Sequence, residues 1–424
     1  MIVCVSALLR ASGQTPAWSL DSCVEYALKH NCAILLQDVE VRKSRANLAQ
    51  SKLSLLPALN LYANQYYNWG RSVDMQELVI VRNRLTRQTS FSVGASFLIF
   101  DGFAGINTVE MHRHLARAAN DNLRRTALDI KAETARAYLA NILAKLSRRQ
   151  LEKSLDNVLQ QASRASSANR LGAVGRGDVL ELEAKAADIR SRIVSAGSEE
   201  ATQMEQLRTL LGGGIVFDTD TCIATANIPD SYPEWAFQDL APPGIKAAQS
   251  ELAAAKSGVR AAIGAALPTL SVSAAYGTYY SDAADGKFKD QIDSNRNPSV
   301  SLSLNLPLFG GGKAATAIAI ARNDLEAAEI KLNQARQEAA VYQSQLIGQC
   351  ETLRSQTEAT QARVDLLQER LQIASEEYAL GAITTSEWID AAEELLQGSC
   401  EHLQTLCKYL FQLKIMEFYI DECR

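Results

Sequence analysis

The residues with chemistry to offer are few, and their spacing suits no catalyst. Only four histidines occur in 424 residues. His112 and His114 stand two apart in a helical stretch, so they point to different faces and cannot share a metal. His30 and His402 are isolated, and no Ser/His/Asp arrangement can be built from four histidines in helical pattern. Gly310-Gly311-Gly312-Lys313 has the look of a phosphate loop. That loop needs a glycine five residues before its last glycine and a Ser or Thr after the lysine; Pro307 and Ala314 occupy those places. The eight cysteines (Cys4, Cys23, Cys32, Cys222, Cys350, Cys400, Cys407 and Cys423) contain no CxxC pair. Cys400 and Cys407 lie about 10 Å apart along a helix, too far to bridge, and read as small buried hydrophobes. Cys4 follows Val3, which is wrong for a lipoprotein cleavage site. Acid pairs such as Glu393-Glu394 read as a solvated helix face. Glu387 and Asp390 follow a turn, where a helix N-terminus favours carboxylates. No catalytic residue, metal ligand or cofactor is expected.

The elements that hold these residues carry more information. Hydrophobic residues make up 47% of the chain and charged residues 21%, with a net charge of −5. That balance predicts folded structure and argues against nucleic acid, which calls for a basic patch. No apolar run reaches the roughly 18 residues of a membrane-spanning helix. Residues 1–13 read as a secretory signal: Ile2 to Leu9 is a short apolar core, and Ala11-Ser12-Gly13 offers small residues for cleavage. The basic start of such a signal is missing, which points to a clipped start; the alternative is a disordered cytoplasmic N-terminus.

The chain repeats itself once, with a period near 210 residues. Leu56-Pro57-Ala58-Leu59 recurs as Leu267-Pro268-Thr269-Leu270, Phe100-Asp101-Gly102 as Phe309-Gly310-Gly311, and Leu171-Gly172-Ala173 as Leu380-Gly381-Ala382. Each unit reads helix, strand, long loop, strand, very long helix, tight turn, helix. The first repeat spans 14–212. It has a helix over 18–54, strands at 58–69 and 89–100, a long helix at 103–170 and a further helix at 178–211. A connecting segment fills 213–241. The second repeat spans 242–424, with a helix at 242–265, strands at 269–280 and 299–308, a long helix at 312–379 and a last helix at 387–421. A helix of that length is about 100 Å long, which implies a coiled coil or tunnel. Leu325, Ala328, Leu332, Ala335, Ala339, Tyr342 and Leu346 recur at alternating spacings of three and four, a heptad seam.

All four strands alternate. Leu59, Leu61 and Ala63 oppose Asn60 and Asn64; Phe91, Val93 and Phe97 oppose Ser90, Ser92 and Ser96; Val272 and Ala274 oppose Ser271 and Ser273; Val300, Leu302 and Leu304 oppose Ser299, Ser301 and Ser303. Strands of about ten residues with one apolar face and one nearly uncharged polar face suit a membrane barrel with a wet lumen; sandwich strands alternate too. Four strands cannot close a barrel, and an open edge cannot face lipid. Three copies give twelve strands, an even antiparallel count, and two copies remain possible.

The duplicated unit, the Leu-Pro before each first strand, and Pro307-Leu308-Phe309-Gly310-Gly311 after the last strand resemble outer-membrane efflux proteins of the TolC family. So does the turn Tyr378-Ala379-Leu380-Gly381 followed by Glu387, Trp388, Ile389 and Asp390. The resemblance covers nearly the whole chain from about residue 18. It implies a mainly α fold with β, in which long coiled-coil helices and four transmembrane strands per protomer build a 12-stranded trimeric barrel. It implies a conduit in the outer membrane of a Gram-negative bacterium with a periplasmic extension, embedded in outer-membrane lipid. The partners implied are a periplasmic adaptor (membrane fusion protein) and an inner-membrane pump of the RND, ABC or MFS type, for efflux or type I secretion. Carried over by position, Glu387 and Asp390 form a ring at the periplasmic mouth that favours cations, and mutual repulsion in the trimer raises their carboxylate pKa values. Tyr378 and Asp178 match residues that hold the mouth shut. The family's Arg two residues after the second turn glycine is Ile383 here, which leaves that lock incomplete. Leu171, Gly172, Ala173, Leu380, Gly381 and Ala382 are expected to meet the adaptor. A soluble periplasmic coiled-coil scaffold or adaptor is the alternative reading.

Overall fold

The computed structural model describes residues 17–73, 80–220 and 241–423. The signal-like segment 1–13 and most of the connecting segment lie outside the described residues. In chain order the elements are β1 (Ala17–Trp18), α1 (Leu20–His30), α2 (Cys32–Leu53), β2 (Ala58–Val73), β3 (Ile80–Phe100), α3 (Ala104–Arg170) and α4 (Arg176–Leu210). They continue with β4 (Asp218–Thr219), α5 (Pro243–Gly264), β5 (Thr269–Ser281), α6 (Phe288–Ser294), β6 (Asn297–Asn305), α7 (Lys313–Ala379) and α8 (Thr385–Cys423). The chain forms two compact units: residues 1–38, 122–244 and 336–424, and residues 39–121 and 245–335.

The second unit holds a four-stranded antiparallel sheet of order β2-β3-β5-β6. Its register aligns the alternations of the separate strands. Leu59 pairs with Ala95, Ala95 with Ala274, and Ala274 with Val300; one row on, Leu61, Val93, Tyr276 and Pro298 align. The opposite face carries Asn60, Gly94, Ala275 and Ser299, and Ser273 and Ser301 hydrogen bond across it at 2.7 Å. At the strand-to-helix corner, Asp101 Oδ2 accepts from the Gly105 N–H at 2.6 Å, satisfying an orphan donor at the start of α3. Gly102 takes φ +67°, and a Cβ there would meet the Gly264 carbonyl oxygen at 2.3 Å. A Cβ on Gly264 would meet the Gly102 carbonyl oxygen at 2.4 Å. Two glycines let the β3–α3 corner and the end of α5 touch backbone to backbone.

The first unit is helical. α3, α4, α7 and α8 bury Val158, Leu182, Ile189, Trp388 and Leu396 in one cluster near the two turns. A second cluster gathers Cys23, Tyr138, Ile142, Leu207, Phe217 and Leu410 around the two-residue parallel pair β1–β4. Lys145, almost fully buried, donates to Asp218, to the Thr219 carbonyl at 3.2 Å and to Thr219 Oγ1 at 2.6 Å. The Tyr138 hydroxyl donates to the Trp18 and Asp220 carbonyls at 3.0 and 3.1 Å. Both clasp the short strand pair against α3. Burial pushes the Cys23 thiol up to about 12 and Cys407 to about 11, so these cysteines stay protonated and inert.

Several boundaries differ from the sequence reading. The helix expected over 18–54 breaks at Asn31, whose backbone is extended (φ −67°, ψ 131°). Its side chain donates to the Leu210 carbonyl and accepts from the Ala33 N–H, each at 2.8 Å, so a tertiary contact caps a new helix inside a helical pattern. The strand expected over 89–100 begins at Ile80, because pairing with β2 carries it through Arg82, Arg84 and Arg87 where the alternation is lost. The last strand ends at Asn305 rather than 308, since Pro307 has no N–H to donate. The long loop between β5 and β6 holds the short helix α6.

Candidate functional site

The two tight turns of the first unit end their long helices in the same way. The Ala173 N–H reaches back to the Ala168 carbonyl and the Ala382 N–H to the Glu377 carbonyl, both at 2.9 Å. Gly172 and Gly381 supply the left-handed residue at φ +76° and +73°. This leaves Leu171 and Leu380 projecting, 86% and 84% exposed. Two bare leucines thus stand at the ends of the two helical hairpins.

The helices that follow carry an acid at matching positions. Asp178 Oδ2 accepts from the Gly175 N–H at 3.2 Å. Glu387 Oε2 accepts from the Thr384 N–H at 2.8 Å and its hydroxyl at 2.9 Å, while the Glu387 N–H donates to Thr384 Oγ1 at 3.3 Å. That reciprocal pair is a capping box. The Thr384 backbone N–H, then its hydroxyl, hold the Glu387 carboxyl below its ordinary range. Glu387 is therefore a helix-start acid in the single chain, and it remains exposed, as does Asp390 one turn on.

Tyr378 and Asp178 come together through a residue the sequence did not single out. The Thr385 hydroxyl, buried, donates to Asp178 Oδ1 at 2.8 Å and lies 3.1 Å from the Tyr378 hydroxyl. Asp178 belongs to the first hairpin, Tyr378 and Thr385 to the second, so this chain of three ties hairpin to hairpin. Ile383 packs into the apolar cluster around Trp388. Deeper in the same bundle, Glu393 on α8 pairs with Lys185 and Arg192 on α4, each at 2.8 Å, and Trp388 Nε1 donates to Ser375 Oγ at 3.0 Å. Glu393, expected on a solvated face, is a half-buried tie; only a lysine and an arginine two helical turns apart on α4 hinted at its partners.

The sheet of the second unit is the other candidate. Its apolar face is uncovered: Leu59 is 73% exposed and Val300 77%. Its polar face is also open, and among the described residues the outer edges of β2 and β6 have no strand beside them. A face of that size would not be left to water. No described helix is long and apolar enough to cross a membrane, and no described cluster of His, Cys, Asp and Glu could hold a metal.

Comparison with known proteins gives a consistent picture. The family model described as "Outer membrane efflux protein" matches residues 23–213 and 241–409. Outer membrane efflux protein BepC of Brucella suis is 25% identical over 316 residues, covering 73% of this chain and 67% of that protein. Protein CyaE of Bordetella pertussis is 26% identical over 324 residues, covering 74% of this chain and 65% of that one. Among solved structures, the CmeC outer membrane channel of Campylobacter jejuni superposes with a TM-score of 0.82 at 15% identity, covering 99% of this chain and 90% of that chain; such a likeness speaks to the fold.

Proposed function

As a member of the outer membrane efflux protein family this chain is an outer-membrane channel of an efflux or secretion system and not an enzyme, and from that premise we propose that three copies close one barrel and line one tunnel. The sheet carries the reading. It has an apolar face for lipid, a serine- and asparagine-lined face for water, and two edges whose backbone groups must be paired before they can enter a membrane. Three copies of four strands supply twelve, antiparallel and even in number. A soluble coiled-coil scaffold would account for the helices and leave that sheet unexplained.

At the turns of the first unit, the reading puts three copies of Glu387 and Asp390 around the mouth. Their charges would favour cations, and crowding of the three copies would raise the Glu387 carboxylate, against the lowering that Thr384 exerts on it within one chain. Asp178, Thr385 and Tyr378 would hold the two hairpins of each copy together in the closed mouth, with the apolar Ile383 where the family's arginine stands. The projecting Leu171 and Leu380, with Gly172, Ala173, Gly381 and Ala382, would meet the helical tips of a periplasmic adaptor. An inner-membrane pump of the RND, ABC or MFS type would supply the energy, in efflux or in type I secretion.

The test begins with detergent-extracted protein. A particle of three times 46.2 kDa is expected, and a rod soluble without detergent would remove the channel. In planar bilayers, the Glu387→Ala plus Asp390→Ala channel should lose most of the wild-type preference for cations. An unchanged preference would leave Glu387 a plain helix-capping acid and Asp390 an exposed helix residue.

A further inference from the structure

We propose that the outer rim of the barrel wall carries a binding site for a phosphorylated lipid headgroup, centred on Arg87 and oriented by Asp282. The inference rests on the barrel reading for which face of the sheet meets lipid. Along β3 that face presents Phe97, Ala95, Val93 and Phe91, then Thr89 and Arg87. Their partners on β2 are Ala95–Leu59, Val93–Leu61, Phe91–Ala63, Thr89–Gln65 and Arg87–Tyr67. Arg87 stands ten residues beyond Phe97. That is about 33 Å along a strand and, at a tilt near 45°, about 25 Å of height, the thickness of the apolar band of such barrels. Arg87 thus lies at the headgroup level, at the end of the sheet away from the helices. It sits on a central strand, clear of both edges where another copy would pair.

Its surroundings suit that level. Tyr67 and Trp69 stack with centroids 6.3 Å apart on the same face, and Tyr280, opposite Thr89, packs against Phe288 of α6 at 5.1 Å. These rings form an interfacial belt. Within it, Asp282 fixes the guanidinium: Oδ1 accepts from the Arg87 N–H at 2.7 Å and Oδ2 from Nε at 3.1 Å. One edge of the fork is used. The side chain is still 56% exposed, and its two terminal nitrogens have no partner among the described residues. A planar pair of N–H donors, pre-set by a carboxylate, matches two oxygens of a phosphate.

The probe is bisphosphorylated lipid A, compared with its dephosphorylated form, added to the detergent-extracted channel and followed by native mass spectrometry. The wild type should retain the phosphorylated form about tenfold better, the worth of one charge-assisted hydrogen-bonded pair. Arg87→Gln keeps a donor for Asp282 and should bring the two lipids level, while Arg296→Ala, in the neighbouring loop, should leave the preference intact. Equal retention of both lipids by the wild type would reduce the rim to an apolar girdle. An equal loss in Arg296→Ala would make the effect diffuse charge, and displacement of lipid A by inorganic phosphate alone would make the site one for free anions. Each result is read on particles of trimer mass, so it stands apart from failure of the barrel reading, in which no such particle forms.

Discussion

Glu393 shows how much a single side chain at the tip is asked to do. Burial alone would raise its carboxyl, but Lys185 and Arg192 outweigh it and hold the group below its ordinary range. A depressed folded value means stability that is fully present above the ordinary carboxylate range and is lost as pH falls through the folded value. Glu393→Gln should therefore melt below the wild type at about pH 7, with the gap closing in acid as the pH falls through the depressed folded value; melting curves of the two from neutral into acid decide it. An undiminished gap in acid would assign the loss to packing. Little of this was legible in the sequence. Tyr378 and Asp178 were found by their place in a motif, but Thr385, which joins them, is one of two adjacent threonines after a turn, and only the fold shows which of the two is buried. The capping box of Thr384 and Glu387 was readable from its spacing, and it is why Glu387 in the single chain behaves as a helix-start acid.

At the level of elements, periodicity located the strands and long helices because each has one face to bury, and the repeat checked one half against the other. It failed where something outside the element decided the outcome. Asn31 ends a helix because the Leu210 carbonyl is within reach, and β3 runs on past its alternation because β2 lies beside it. The contact of Gly102 with Gly264 is of the same kind: no spacing in the chain links these two residues. It gives a sharp expectation. Gly264 sits in a helix, where alanine is ordinarily preferred, yet its Cβ would press on the Gly102 carbonyl. Gly264→Ala should cost about 1–3 kcal/mol of stability, seen as a lower melting temperature of the purified channel. A stabilised variant would mean that the corner yields freely. Gly258, in the same helix, is the comparison: a Cβ there meets only the Met111 sulfur at 3.5 Å, and Gly258→Ala should be nearly neutral.

For the whole molecule, the four-stranded sheet with two bare edges sets the terms. A single copy has no stable place in lipid, so folding of the wall and association of the copies become one event. That has a consequence in genetics. A chain with a proline at Leu302, on edge strand β6, would keep its helices and its β2 edge and still enter assemblies, but it would break the ladder wherever its own β6 meets a neighbour. Expressed equally with the wild type, and with the three copies proposed for each wall drawn at random, it would leave only about one assembly in eight wholly sound. The altered allele should therefore be dominant, sensitising cells to the exported compounds in the presence of a good copy of the gene, and a fully recessive allele would mean that the copies do not share a wall.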